Sequence, residues 1–518
     1  MKNVFILIIV FCSTALFGQP LTYQIQLDLG DYIIPGNLAN TADGGLVTCG
    51  TASIGATADA YIVKISSAGV VQWKKTYGTS LIETGKYIIQ TSDGGYLMTG
   101  TIRLTNLNED ILLVRTDVNG DTLWTRSYGN ANNDYGNSVI ELPSGNFLVT
   151  GSCVIGSTKA TVLRLDASGN LLSSNFNTSI YASPNMRANI IGPTSLVLTG
   201  TFATEIQTDT LGIYAGQTNI QLSGSGNTSD ALLSTSGFHI STGTIDIGAP
   251  TGNSIAIAHS DATGTSNIWV QKYSASGASL SAVSIIESND QGLIVAGHSY
   301  GFTGTANGLT LLKTDSIGTP VWAKIYNPVN GSEYTAGGGI ATNDGGYAIC
   351  GSVYYGSVAD LIIIKTDSAG NSGCNEAIQL VTSSTAPYLV ASQLGPFAGS
   401  LSNTGTWINS TTGTSGTSLI LCSSTSGLND LFSKSIFTVG PNPFTNKIAL
   451  HCANEFNNSQ LEWSLTDLTG KKVFNKKTVS ENSIEFLPEL PSGVYLLEVR
   501  SDDHVLVHEK LFHLNRQN

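Results

Sequence analysis

The sequence predicts an all-β protein: a seven-bladed β-propeller followed by a small C-terminal Ig-like β-sandwich. Three observations carry this expectation. Of 518 residues only 12% are charged while 57 are Gly, unlike the Ala-, Glu-, Lys- and Leu-rich make-up of helical bundles. Hydrophobic residues make up 41%, with 19 Tyr, 16 Phe and 6 Trp, enough to fill a core and to argue against disorder. The third observation is an internal repeat of roughly fifty residues. At about 150 residues per domain the length leaves room for three to four domains.

The repeat is centred on a turn. Thr91-Ser92-Asp93-Gly94-Gly95-Tyr96-Leu97-Met98-Thr99-Gly100 returns as Thr342 to Gly351 and as Thr41 to Gly50. Weaker copies lie at Pro143–Gly151, Gly192–Gly200, Ser236–Gly243 and Asn289–Gly297. Each good copy is followed by a strand pattern such as Asp110 to Asp117, then one such as Thr122 to Gly129, then a short apolar run such as Ser138-Val139-Ile140. The runs have strand length and are rich in Val, Ile, Leu and aromatics. Asp-Gly and Asn-Gly at the joints supply the positive φ that tight hairpins require. Four antiparallel strands per copy describe propeller blades over residues 19–374. The stretch from Thr201 to Ser281 is degenerate.

The two ends of the repeat complement each other. The last copy has its Asp360–Asp367 strand, but Ser372-Gly373-Cys374 stands where the Trp-to-Tyr strand should be. The missing piece precedes the first turn, at Tyr23 to Gly30. One blade built from both termini would close a ring and remove open edges.

The N-terminus reads Met1-Lys2-Asn3, an apolar run from Val4 to Phe11, then Ser13 to Gln19. This is the pattern of a secretory signal peptide, residues 1–18, cut between Gly18 and Gln19. The run is too short for a membrane span and no later segment is long enough. Phe11 before Cys12 lacks the small residue of lipoprotein processing. Of the remaining cysteines, Cys49, Cys153 and Cys350 lie in strand patterns and read as small buried hydrophobes. Cys374 and Cys422 are a candidate disulfide, permissible in an exported protein.

Residues 375–432 hold only two charged residues, Glu376 and Asp430, and read as a Ser/Thr/Gly-rich linker with a few irregular strands near Trp407 and Leu419 to Leu421. From residue 433 the texture changes to evenly spaced strands with more Lys and Glu. Gly440-Pro441-Asn442-Pro443-Phe444, then Leu465 to Val473 with Asp467 and Gly470, then Leu490 to Val499 with Gly493 and Tyr495, and finally Lys510-Leu511 follow in order. This stretch resembles the type A C-terminal sorting domain of the type IX (Por) secretion system. The resemblance implies a Bacteroidota source, passage across the inner membrane by the signal peptide, and export across the outer membrane by the secretion machinery. It also implies removal of residues 433–518 by a surface sortase, followed by release or attachment at the cell surface. The upstream copies likewise resemble the Asp-Gly-Gly-Tyr repeats common in such cargo.

Little catalytic chemistry is written in the chain. A formal charge of −13 with pI near 4.9 gives nucleic acid no electrostatic footprint. No H-E-x-x-H, G-x-S-x-G, P-loop or dinucleotide fingerprint occurs. His239, His259 and His298 fall within strand-like runs. Asp117-Val118-Asn119-Gly120-Asp121 has calcium-loop spacing, but equivalent turns do not keep the oxygen ligands, and an Asx-bonded hairpin accounts for them all. No cofactor is expected, with Ca²⁺ the one candidate. Glu83, Asp134 and Glu333 follow the Tyr-Gly strand at six or seven residues. They would either ring a channel mouth as an acidic collar or accept backbone hydrogen bonds within their own blade, and the second reading is favoured. The functional expectation is a non-catalytic binding or adhesion module for glycan or protein. The alternatives are a polysaccharide hydrolase or lyase with carboxylates at the channel, and a structural matrix component.

Overall fold

The computed structural model describes residues 21–176, 187–261, 267–391, 402–424 and 437–513, apart from shorter connecting segments within these ranges. The signal segment and Gly18–Gln19 lie outside them. The chain divides into two compact units, residues 1–424 and 425–518. Both are all-β in their described parts.

In the larger unit the strands group into open four-stranded antiparallel meanders, here lettered A to G. Group B is representative. Its strands a to d are Ile82–Gln90, Tyr96–Thr105, Asn108–Thr116 and Thr122–Gly129, each paired with the next. Group A runs from Tyr32–Asn40 to Val71–Tyr77, C from Asp134–Glu141 to Leu171–Phe176, and D from Arg187–Gly192 to Tyr214–Leu222. Group E runs from Asn227–Leu233 to Asn267–Ala275 and F from Ala278–Glu287 to Pro320–Tyr326. Group G has Glu333–Ala341, Tyr347–Tyr355 and Val358–Thr366 as its first three strands. Its fourth is Thr22–Leu27, paired antiparallel with Val358–Thr366 from Tyr23↔Lys365 to Leu27↔Leu361. The first described strand and the last copy of the repeat therefore share one sheet, as the sequence predicts. The a strands touch in cyclic order, A against B and so on to G, and G against A.

Aromatic side chains on the d strands hold neighbouring groups together. Tyr77 donates its hydroxyl to the Gly120 carbonyl of the next group at 2.8 Å. Tyr273 to Gly318 and Tyr326 to Gly370 repeat the bond at 2.7 Å, and Tyr128 bonds Gly169 in the same way. A Trp four residues before each Tyr covers the same glycine. A Cβ on Gly120, Gly169, Gly318 or Gly370 would come within 2.7–3.0 Å of Trp73, Trp124, Trp269 or Trp322. These glycines also have φ of 75–85°, so two constraints select the residue. In group G Tyr23 takes the Trp place, 2.8 Å from a Cβ on Gly69 of group A.

The stretch read as a linker is corrected in its described part. Glu376–Ile378 pairs with the d strand of F, Val381–Thr385 with that of E, and Tyr388–Ala391 with that of D. Ser402–Asn403 then pairs with the d strand of B, Ser410–Thr412 with that of A, and Ser418–Ser424 with Thr22–Leu27. The segment thus visits the outer edges in reverse chain order. An outer edge strand carries unpaired N–H and C=O groups. A nearly uncharged, β-branched segment satisfies them at no cost in buried charge.

The smaller unit holds a three-stranded sheet (Phe437–Gly440, Lys447–Cys452, Ser483–Phe486) and a four-stranded sheet ordered Lys472–Val479, Gln460–Asp467, Gly493–Ser501, His504–His513.

Candidate functional site

Antiparallel alternation gives the larger unit two ends. The a–b and c–d turns lie at one end, and the b–c hairpins and the entries to the a strands lie at the other. The Asp-Gly-Gly turns belong to the turn end. Asp43 Oδ1 accepts from Gly45 N–H at 3.1 Å and from the Thr41 hydroxyl, and its carboxylate pairs with Lys64 Nζ at 2.9 Å. Lys64 is 3% exposed, and its Nζ also donates to the Ile65 carbonyl. A Cβ on Gly45 would stand 2.6 Å from that ammonium, so the second glycine makes room for the base. Asp93 with Arg115, Asp290 with Lys313 and Asp344 with Lys365 repeat the pair. Burial pushes the Asp43 pKa up, but the Thr41, Lys64 and Gly45 hydrogen bonds and the Lys64 charge outweigh it, leaving about 2. At Asp290 the Lys313 and Ser288 hydrogen bonds dominate, again giving about 2.

Where the Asp is missing the base changes or loses a bond. In group E, Ser236 replaces Asp and His259 replaces Lys, stacked on Trp269 at 5.2 Å between centroids. In group C, Ser144 replaces Asp, and Nε of Arg164 has no hydrogen-bond partner. His239 is buried, and His298 Nδ1 accepts from Ala336 N–H.

Four of the described c–d turns are Asx-bonded. Asp117 Oδ1 accepts from the N–H groups of Asn119 at 2.9 Å and Asp121 at 2.8 Å, and Asp166, Asp315 and Asp367 do the same in their turns.

The three predicted mouth carboxylates sit at the hairpin end in different environments. Glu83 is buried and accepts from the Thr79 hydroxyl at 2.6 Å and the Thr79 N–H at 3.2 Å. Asp134 is buried and accepts from Asn130 N–H at 2.7 Å and Asn130 Nδ2 at 3.0 Å. Burial raises the Glu83 pKa against the Thr79 bonds, with Asp59 adding to it. Burial likewise lifts Asp134 to about 7, opposed by the Asn130 amide and helped by Asp110. Both carboxylates thus fasten the loop that leads into their own a strand. Glu333 is exposed and stands opposite Tyr354 in its sheet.

A second set at this end was not singled out from sequence. It lies at the seam between groups G and A. Tyr32 begins the a strand of A, and its ring lies 5.5 Å from that of Tyr354 with the planes 55° apart. Tyr32 is 39% exposed and Tyr355 38%. Gln26 Nε2 donates to Asp360 Oδ2 at 2.5 Å and to the Tyr355 hydroxyl at 3.2 Å. Tyr300 of group F, 51% exposed, occupies the repeat position of Tyr354. The available signal was aromatic residues at the ends of b strands, on the outward phase of the alternation.

Cys49, Cys153 and Cys350 are buried free thiols. Cys374 is disulfide-bonded. Gln24 Nε2 donates to its carbonyl at 2.5 Å, and Cys422 stands opposite Gln24 in the strand pairing.

Of the predicted sorting residues, Pro441, Asn442, Pro443 and Gly470 lie outside the described residues. Asp467 Oδ1 accepts from Lys471 N–H at 3.0 Å, closing a hairpin. Tyr495 is buried opposite Asp467, while Gly493 stands opposite His513 and Lys510 opposite Leu496.

Residues 438–512 match the secretion system C-terminal sorting domain family. This tail indicates export to the cell surface or extracellular space and interaction with the type IX secretion machinery. No helix among the described residues is long and apolar enough to cross a membrane. No curated protein matches the chain. Among solved structures, the Pan2 WD40 domain of Neurospora crassa is similar at TM-score 0.41 and 10% identity, over 67% of this chain and 96% of that one. Chaetomium thermophilum Sqt1 bound to the N-terminus of ribosomal protein L10 gives 0.40 and 11%, over 65% and 99%. The extracellular domain of a putative hybrid two-component system from B. thetaiotaomicron gives 0.37 and 9%, over 93% and 55%.

Proposed function

We propose that the protein is a secreted, non-catalytic binding module of the cell surface or its surroundings, recognising glycan or protein. In this reading residues 19–374 form a seven-bladed β-propeller, strapped by the segment that follows, and residues 433–518 form an Ig-like sorting domain. A signal peptide cut after Gly18 starts export from a Bacteroidota cell, and a surface sortase removes the sorting domain. A disulfide between Cys374 and Cys422 fastens the strap beside the N-terminal strand Thr22–Leu27.

The observation that carries the binding reading is the contrast in exposure at the hairpin end. Glu83 and Asp134 are withdrawn into their loops, while Tyr32, Tyr355 and Glu333 face solvent. A general acid or nucleophile must touch its substrate, whereas a recognition surface needs only rigid exposed groups. Loops on one end of a fixed scaffold are where such groups are varied.

The test is a glycan array combined with a polysaccharide degradation panel on the secreted protein. Binding without sugar release is expected. Release of reducing sugar would overturn the non-catalytic reading. A fluorescent protein fused to residues 433–518 behind the signal peptide should reach the cell surface or medium. Retention in the periplasm would refute the sorting assignment.

A further inference from the structure

The seam where the N-terminal strand closes group G is chemically unlike the other junctions. The position of Tyr32 is Ile82 in group B and Asn133 in group C, and the position of Tyr354 is Ser53 in group A and Arg103 in group B. In group B that place is filled by an Arg103–Glu109 ion pair at 2.7 Å. The scaffold therefore does not need tyrosine at either position, and a structural requirement of the fold does not explain the cluster.

The tyrosines are held rather than loose. Tyr32 and Tyr354 pack ring against ring with centroids 5.5 Å apart, and on the other face of the group G sheet the Gln26 amide bridges the Tyr355 hydroxyl and the Asp360 carboxylate. The mutual packing of Tyr32 and Tyr354 restricts their rotamers before any ligand arrives, which lowers the entropy cost of binding. Tyrosine supplies a large rigid face with a polar rim for two side-chain torsions.

We propose that this seam binds a neutral carbohydrate chain, an assignment that rests on the binding reading above and names its ligand and site. The tilted Tyr32 and Tyr354 rings offer faces to the apolar C–H side of a pyranose. Glu333, opposite Tyr354 in the same sheet, offers its exposed carboxylate to its hydroxyls. A polyanion is disfavoured by a chain charge of −13. A stable protein partner would call for a broader apolar patch than these separate rings provide. A sugar is polar on its rim and apolar on its face, which is the pattern that these side chains present.

The test is titration of the secreted protein with hexasaccharides of β-1,4-glucose, β-1,4-N-acetylglucosamine, β-1,4-mannose and α-1,4-glucose. At least one should bind. Tyr32→Ala and Tyr354→Ala should each weaken that binding about tenfold or more with the melting temperature unchanged, while Tyr32→Phe should bind within about twofold of the parent. Undiminished binding by both alanine variants would overturn the seam as the site and leave the binding reading standing. A folded parent that binds none of the four would overturn the carbohydrate assignment. Capture of a surface protein by that same parent, lost in Tyr354→Ala, would move the seam to a protein partner.

Discussion

The two ends of the larger unit spend similar residues on opposite tasks. At the turn end the acids of four a–b turns each meet a buried base: Asp43 with Lys64, Asp93 with Arg115, Asp290 with Lys313, Asp344 with Lys365. At the hairpin end Glu83 and Asp134 are buried with hydroxyl and amide donors, and tyrosines stand in solvent. These four acid–base pairs are committed to their own meanders. The hairpin end keeps side chains that the scaffold does not require. Local partners thus separate stabilising carboxylates such as Asp43 and Glu83 from the exposed Glu333, although all come from the same repeat.

The sharpest way to break this comparison is to remove a base at the turn end. Lys365→Ala should cost about 2–3 kcal/mol in unfolding free energy, since it empties a buried position and unpairs the Leu21 carbonyl and Asp344. Tyr354→Ala, at the other end, should change stability by about 0.5 kcal/mol or less. Equal losses in denaturant melts would erase the distinction. Next in size is Tyr326→Phe, which leaves the Gly370 carbonyl without its donor and should cost about 1–1.5 kcal/mol without touching saccharide binding.

Acidity distinguishes the ends in sign. Asp43 and Asp290 have folded pKa values near 2, below the ordinary 3.8. Their stabilisation is present above about pH 4 and is lost as pH falls toward 2. Asp134 is raised to about 7, so its contribution is complete below about pH 4 and is lost as pH rises through 7. Asp134→Asn should therefore flatten the stability profile between pH 4 and 7 by about 1 kcal/mol after solvent screening, leaving the acid limb unchanged. An unaltered profile would show that Asp134 titrates normally. The smallest effect concerns Gln291, which has φ of 62° where the other described copies have Gly. Gln291→Gly should stabilise by up to about 1 kcal/mol, the left-handed penalty less the entropy of glycine, as read by melting temperature.

Much of this was legible in sequence because the repeat states it several times. The Asp-Gly-Gly turn, the Trp-to-Tyr strand and the missing last strand supplied by Tyr23 to Gly30 all appear as local patterns. The partnership of Asp43 with Lys64 was not, because it joins residues a strand apart and a lone Lys in a strand reads as a solvated side chain. The strap was misread for a related reason. Residues 376–424 have no periodicity of their own, and their pairing partners are edges from 50 to 402 positions away in the chain. The tyrosine seam depends on the contact between groups G and A, which brings Tyr32 beside Tyr354 across 322 positions of chain.

The division of labour between the two ends is tested most directly by thermal unfolding of two double variants of the secreted protein. Lys64→Ala with Arg115→Ala removes bases at the turn end, and Tyr32→Ala with Tyr354→Ala removes rings at the hairpin end. The expected result is a clear fall in melting temperature for the first and the parental value for the second. A hairpin-end variant that melts as early as the turn-end one would contradict the account.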